Sequence, residues 1–445
     1  MLPFASFWFT VRVDGSSGGN QAVARLMRPA HPRHFSERRR RSLWSRFGKV
    51  AIVVGLVVVV AGVALLIQVQ RPVPALGVEP AVPVGMSIPG TPPAMPWPSS
   101  GEAAVDVPSL GMLPGPGSDK PVPVTSLAKI MLAYVVLRDH PLTGAEEGPG
   151  LTVTPADVAL YRSEVGQQQS LVRISAGEVL TERQVLEGLL VGSGNDLAGL
   201  VARWDRGSDP GFLAEMNAAA GRLGLTHTHY NDAVGLDPAT VSTAPDQLRL
   251  TEAAMADPAL AAIVSEPSVT LPMAGSVANF NTLLGQDGVV GVKTGASTAA
   301  GGCLSVAALR AVAGRPTLVY AVVLGQNGTM PVQAALAAGK SLVDAAGAAV
   351  KTTTVVPAGT AVATVAVPWA HPVTAVTATD ARLPAWGGLP VVLRFQPARL
   401  GHSLPSGVPI GTLTVSVNGR QVQVPVGINH PISAAPLSWR LRRMP

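Results

Sequence analysis

The sequence predicts an α/β body, an antiparallel sheet flanked by helices with a helical subdomain, followed by a small C-terminal β domain and preceded by an N-terminal transmembrane helix. Three observations carry that prediction. Residues 50–67, VAIVVGLVVVVAGVALLI, are an uncharged run of 18 that meets the length needed to cross a bilayer as a helix. Between residues 101 and 350, segments with apolar residues at helical spacing precede three strand-like runs, GVVGVKTG, GCLSVAALRAV and PTLVYAVVLG, joined by small residues. After Lys351 the pattern becomes alternating Val/Thr segments, and Asn418-Gly419 between two such runs is a two-residue hairpin signal.

In chain order, residues 1–49 form a basic tail with ten Arg/Lys against two Asp/Glu. Positive charge before the apolar run holds that end in the cytoplasm, so the chain after Arg71 is expected outside: a single-pass protein of the cell membrane with an extracytoplasmic body. A cleaved signal peptide is the competing reading, but no clear A-x-A site follows the run closely, which favours an uncleaved anchor. Residues 68–100 are too proline-rich for helix or central strand and predict an extended, semi-rigid spacer. EAAVDV and SLGML, residues 102–107 and 109–113, predict short strands that nearby prolines confine to an edge.

From Ser126 to about Leu137, the residues Leu127, Ile130, Met131, Tyr134 and Val135 recur at helical spacing, so Ser126 begins a buried helix. TERQVLEGLLVG opens with Thr181 and Gln184 in capping-box relation, breaks at SGN and resumes as DLAGLVARW, which implies a corner at Ser193. The three strand-like runs are expected side by side and antiparallel. PVQAALAAGKSLVDAAGAAV then returns as a helix, closing a domain of residues 101–350, and residues 351–445 are expected as a separate β-rich domain.

Composition excludes several classes of function. A hydrophobic content of 47% with 13% charged residues excludes disorder throughout. The net charge of +6 sits in the tail, and the remaining residues hold 23 Arg/Lys against 25 Asp/Glu, so the body as a whole has no excess of positive charge for a nucleic-acid partner. Cys303 stands alone and builds neither a disulfide nor a thiolate cage, no H-E-x-x-H occurs, and His227 and His229 read as a loop pair, so no metal or other cofactor is expected. AAGKS at Lys340 fails as a phosphate loop because Ala334 stands where glycine is required, and no G-x-S-x-G is present.

Three short stretches point to chemistry. Ser126 and Lys129 are i and i+3 on a helix and share a face. A serine hydroxyl is a poor nucleophile until its proton is removed, and a lysine can remove it when burial lowers its pKa. Lys129 is one of six lysines, and none of the others has a serine three residues before it. At the helix corner, Ser193 and Asn195 offer a hydroxyl and an amide for proton relay and positioning. Lys293, Thr294 and Gly295 lie at a strand end, where lysine adds positive potential, threonine offers a hydroxyl to a carboxylate, and glycine admits a second chain close to the backbone. Backbone N–H groups there and at Ser126 suit a tetrahedral oxyanion. Each triplet alone is weak; Ser416-Val417-Asn418 repeats S-x-N in the terminal hairpin, where the turn accounts for it.

Their order lifts them: S-x-x-K, then S-x-N roughly 70 residues on, then K-T-G about 100 later. The chain thereby resembles the D-alanyl-D-alanine carboxypeptidases, the low-molecular-mass penicillin-binding proteins of the serine peptidase class. The likeness extends to PVTSLAKIMLAYVVL, LLVGSGNDLAGLVA, MNAAAGRLGLTHTHYNDAVGLD, STAPDQL, NFNTLLG and GVVGVKTGASTAAGGCLSVAA, over about residues 100–350. It implies a β-lactamase/transpeptidase-like fold and removal of the terminal D-alanine from peptidoglycan stem peptides through an acyl-enzyme, with β-lactam antibiotics as covalent inhibitors. It also implies roles: Ser126 as nucleophile, Lys129 as general base, and Ser193 and Asn195 as relay and positioning pair. Lys293, Thr294 and Gly295 become the substrate-binding strand, and Ala296 supplies the second oxyanion N–H beside that of Ser126. A β-lactamase would need a deacylating glutamate that the sequence does not identify, and intact triplets argue against a non-catalytic wall-binding homologue.

Overall fold

The computed structural model describes residues 40–443 apart from residues 109 and 168. Most of the basic tail, and Ser109 at the head of the second short strand, therefore lie outside the described residues. The chain divides into two compact units, one holding the chain up to Pro72 with the last residues from Arg440, the other Val73–Trp439. In the first, helix α1 (Arg40–Gln70) extends past the apolar run at both ends. Its stretch Gly48–Gln70 is 23 residues long and apolar enough to cross a membrane. Its valines and leucines are bare, Leu66 at 61% exposure.

The second unit begins with strands β1 (Gly77–Pro80) and β2 (Met86–Ser87), then β3 (Glu102–Val107) and β4 (Gly111–Pro114). Helix α2 (Ala128–Asp139) follows a 3-10 turn at Thr125–Leu127, and α3 (Glu182–Leu190) and α4 (Ala198–Arg206) flank the expected corner at Ser193. Strands β5 (Val289–Ser297), β6 (Gly301–Val312) and β7 (Arg315–Gln326) form the antiparallel triplet read from the sequence, and α5 (Pro331–Ala349) the helix after it. These strands make a five-stranded sheet in the order β5-β6-β7-β3-β4. Here β3 corrects the sequence reading: it is fully buried and pairs with β7 on one side and β4 on the other, leaving β4 at the edge. The prolines that suggested an edge stand outside β3, at Pro108 and Pro114, so they remove none of its ladder bonds.

Side chains alternate across this sheet. Cys303 and Ala307 of β6, with Tyr320 and Val322 of β7, enter the apolar core shared with the helices. Leu304, Val306, Val319 and Ala321 face the opposite way, into a second core roofed by Leu336 and Leu342 of α5. Helix α2 is buried on nearly every side, from Ile130 to Leu137, rather than along one stripe. Helix α3 starts as expected: the Thr181 hydroxyl accepts from Gln184 N, and the Gln184 side chain accepts from Thr181 N.

The strands after α5 are β8 (Lys351–Val356), β9 (Ala361–Ala366), β10 (Val373–Thr377), β11 (Ala381–Ala385), β12 (Pro390–Pro397), β13 (Pro409–Val417) and β14 (Arg420–Ile428). All but β8 and β11, which pair with each other, join one sheet in the order β1-β9-β10-β14-β13-β12-β2. Asn418 and Gly419 both have positive φ, 42° and 85°, the geometry of the hairpin turn predicted for β13–β14.

Two expectations need correction. The proline-rich segment is not an extended spacer: β1 and β2 close the two edges of this sheet, and Leu76, Ile88 and Met95 are buried. Edge positions tolerate proline because one side of the strand needs no donor, so the same composition serves an edge as well as a linker. Nor is the β-rich region separate, since one apolar core runs from Val105 and Leu304 through Leu336 to Leu413 and Val426.

A chain that starts at residue 73 is therefore expected to fold, whereas one that starts at residue 101 uncovers both sheet edges and loses three buried side chains worth roughly 1.5–3 kcal/mol each. Thermal unfolding and size-exclusion chromatography of the two chains check this; equal melting temperatures and equal monomer fractions would contradict it.

Candidate active site

The 3-10 turn Thr125–Leu127 presents Ser126 at the head of α2, and Lys129 lies on the first turn of that helix with no exposed surface. Its ammonium Nζ donates to Ser126 Oγ at 3.0 Å and to Asn195 Oδ1 at 2.6 Å, with Ser193 Oγ at 3.4 Å. Ser193 Oγ in turn donates to Ser126 Oγ at 3.1 Å. The corner after α3 thus places its hydroxyl and amide directly on the serine-lysine pair, and the backbone turns there by giving Ser193 a φ of 56°.

Strand β5 closes the site. Lys293 and Thr294 are buried and pair across the ladder with Ser305 and Leu304. Gly295 lies against the turn before α2: a Cβ at that position would overlap the Thr125 hydroxyl and stand 3.1 Å from Ser126 N. Ala296 follows, exposed at the open end of the strand and paired with Gly302. All eight predicted residues therefore fall on three elements that meet at Ser126.

Burial sets the electrostatics. Lys129 is pushed well below the usual lysine range, chiefly by loss of water and further by the like charge of Lys293; Asp232 and Asp196 pull the other way. Burial likewise lowers Lys293 to about 7. Two amines that normally stay charged are thus shifted toward their neutral forms, which is what a proton-accepting lysine requires.

Four contributors escaped the sequence reading. Gln169 Oε1 accepts from Asn195 Nδ2 at 3.1 Å and so aims the amide oxygen at Lys129. Asp196 is buried beside the corner, accepts from Val172 N at 2.9 Å, and has its pKa raised to about 6 by burial. Asp232 gathers a loop: its carboxylate accepts from Gly235 N, Leu236 N and the Thr240 hydroxyl at 3.0, 2.7 and 2.5 Å. That loop presses Gly235, with φ 80°, against the Thr125 carbonyl so closely that a Cβ would overlap it. Only the run NDAVGLD carried a signal for this loop; Gln169 and Asp196 act through contacts that no local pattern marks. His229 pairs with Val241 through the backbone, and His227 N donates to Asp246, so that pair serves the loop. Lys340 lies inside α5 and pairs with Asp344 and Asp287.

Comparison with known proteins bears on the family and the fold. The profile of a family described as D-alanyl-D-alanine carboxypeptidase matches residues 102–328. D-alanyl-D-alanine carboxypeptidase DacB2 of Mycobacterium tuberculosis is 35% identical over 240 residues, covering 52% of this chain and 75% of that protein. A D-alanyl-D-alanine carboxypeptidase of a Streptomyces species is 30% identical over 206 residues, 42% of this chain and 67% of its own. In fold, the crystal structure of the D-alanyl-D-alanine carboxypeptidase DacD from Francisella tularensis superposes with a TM-score of 0.54 at 18% identity, covering 77% of this chain and 96% of that one.

The buried charge of Lys293 has a consequence for stability. Between about pH 7 and lysine's ordinary 10.5 the unfolded chain holds a proton that the folded chain has released, so stability rises with pH across that window. Below it the folded chain bears the full desolvation cost. Lys293→Met is expected to raise the melting temperature at pH 6 by more than at pH 10; a gain that is equal at both, or larger at pH 10, would show that the side chain is not desolvated.

Proposed function

The chain belongs to the D-alanyl-D-alanine carboxypeptidase family, and from that premise we propose an assignment of roles to its residues. It is a serine-type hydrolase of peptidoglycan metabolism, acting as a D-Ala-D-Ala carboxypeptidase in a family that binds penicillin. In the proposed mechanism Ser126 Oγ attacks the carbonyl carbon of the D-Ala-D-Ala bond while neutral Lys129 takes the hydroxyl proton. The carbonyl oxygen becomes an oxyanion held by the N–H groups of Ser126 and Ala296. Collapse breaks the C–N bond, and the proton passes by way of Lys129 and Ser193 to the departing D-alanine amine. Water then attacks the ester on Ser126, the same groups accept and return its proton, and the shortened stem peptide leaves with the serine restored.

Lys293 and Thr294 bind the terminal carboxylate of the substrate, Gly295 leaves room for the extended peptide, and Asn195 holds the amine of Lys129 in place. The observation that carries this reading is a lysine without solvent contact whose Nζ lies 3.0 Å from a serine hydroxyl on the adjacent turn. β-Lactams present a carbonyl and a carboxylate to the same groups and are expected to acylate Ser126.

The same proposal places the enzyme. Helix α1, with Arg40, Arg41, Arg46 and Lys49 near its start and a 23-residue stretch, Gly48–Gln70, apolar enough to cross a membrane, supports a single-pass anchor with the peptidase outside the cytoplasm. Residues 101–350 form the peptidase and residues 351–445 the β-rich region, with residues 73–100 reassigned to the latter sheet.

Mass spectrometry after incubation with penicillin, and alanine release from a D-Ala-D-Ala pentapeptide, test the function together; an adduct without alanine release would remove the carboxypeptidase reading. Ser126→Ala is expected to abolish the penicillin adduct, and a labelled variant would refute the nucleophile. Lys129→Ala is expected to slow acylation by about a hundredfold or more. In the wild type the acylation rate should climb with pH as Lys129 loses its proton, and a rate that falls with rising pH would exclude that lysine as base.

A further inference from the structure

The near-zero charge of the body conceals a division. Residues 50–350 hold 15 Arg/Lys against 24 Asp/Glu, whereas residues 351–445 hold eight Arg/Lys against one acid, Asp380. Part of that positive charge converges with a residue of the peptidase sheet. A cavity of about 480 Å³ is lined by Arg315 at the start of β7, Arg382 of β11 and Arg420 at the start of β14, with Thr352 and Gln421 offering polar groups between them.

The three arginines stand on regular backbone structure. Arg315 follows the two-residue turn Ala313-Gly314, with φ 49° and 79°, and pairs with Val312. Arg420 follows the matching turn Asn418-Gly419 and pairs with Val417, and the Asn418 side-chain amide donates to the Leu110 carbonyl, which anchors that turn to the peptidase sheet. Arg382 sits in the short ladder with β8 and pairs with Asp380 at 3.2 Å, the lone acid of the region.

We infer that this cavity is a binding site for a phosphodiester group of a water-soluble anionic polymer, distinct from the catalytic centre. The partners of Gly295 and Arg315 on β6, Cys303 and Val312, stand nine positions apart, about 30 Å at strand rise, so the site cannot contact the scissile bond. Three arginine forks around one cavity suit a tetrahedral anion with oxygens on several sides; a planar carboxylate is satisfied by one fork. The cavity is roomier than one phosphate, which leaves space for the flanking polymer. No large apolar side chain in its lining is exposed, so it lacks the anchors with which a protein inserts into lipid.

Isothermal titration calorimetry of the full chain in a non-ionic detergent, with a glycerol-phosphate oligomer and with inorganic phosphate at fixed ionic strength, tests this. Replacing all three residues, R315A with R382A and R420A, is expected to weaken oligomer binding at least tenfold, while the exposed pair R394A with R399A changes it less than twofold. Single R382E, at a largely exposed side chain, is expected to weaken it at least threefold, and penicillin labelling reports folding of each variant. Equal losses in the triple and control variants would mean bulk attraction. That result, absence of oligomer binding by the wild type, or binding confined to phosphatidylglycerol vesicles would overturn the inference.

Discussion

A lysine ammonium shut away from water is the constraint around which the rest is arranged. Removing an ammonium from solvent costs several kcal/mol even after relaxation, of the order of the whole margin by which domains are stable. Lys129 bears that cost on the first turn of a helix that is buried on nearly every side. Three oxygens, from Ser126, Ser193 and Asn195, replace the lost water, yet its pKa still falls far below the ordinary value. The cost is thus partly relieved by giving up the proton. Burial of the amine and its readiness to stand neutral are one physical fact.

Meeting that constraint shapes the backbone nearby. Thr125 and Ser193, adjacent to or within the cluster, both adopt positive φ, 48° and 56°, which costs a non-glycine residue of order 1 kcal/mol or more. Each is held by tertiary packing. Gly235 and Gly295 press on Thr125 from opposite chain segments, and neither tolerates a side chain there. Asp232 organises the loop that delivers Gly235, and its charge also acts on Lys129, so one carboxylate both fixes the turn before Ser126 and moderates the amine behind it.

The parts legible in the sequence were those with a local signature. S-x-x-K is visible because both residues belong to one helical turn, the α3 cap because Thr181 and Gln184 are three apart, and the β13–β14 hairpin because Asn-Gly admits two positive φ values. What escaped depends on partners far along the chain. Strand β3 is central because residues 320–324 pair with it, more than 200 positions away. Residues 77–80 read as linker until residues 363–366 offer them an edge. Gln169 and Asp196 act only because the chain folds back to the corner at Asn195. A charge balance averaged over the body likewise concealed its acidic and basic halves.

The β-rich region follows from the same packing logic. Lys293, Thr294 and Gly295 hold their positions because β5 belongs to a sheet with both faces covered. The helices next to Ser126 and Ser193 cover one face. The other is buried with Leu336 and Leu342 of α5 in a core that continues into Leu413, Val415 and Val426. A sheet stripped of that second layer would expose Val105, Leu304, Val306 and Val319 to water, at roughly 1.5–3 kcal/mol for each large side chain. The hairpin tip adds a polar tie, Asn418 to the Leu110 carbonyl, between the same two parts. Rigidity at Gly295, where a Cβ would overlap the Thr125 hydroxyl, therefore draws on residues beyond 400. The C-terminal strands are in that sense a second wall of the active-site sheet.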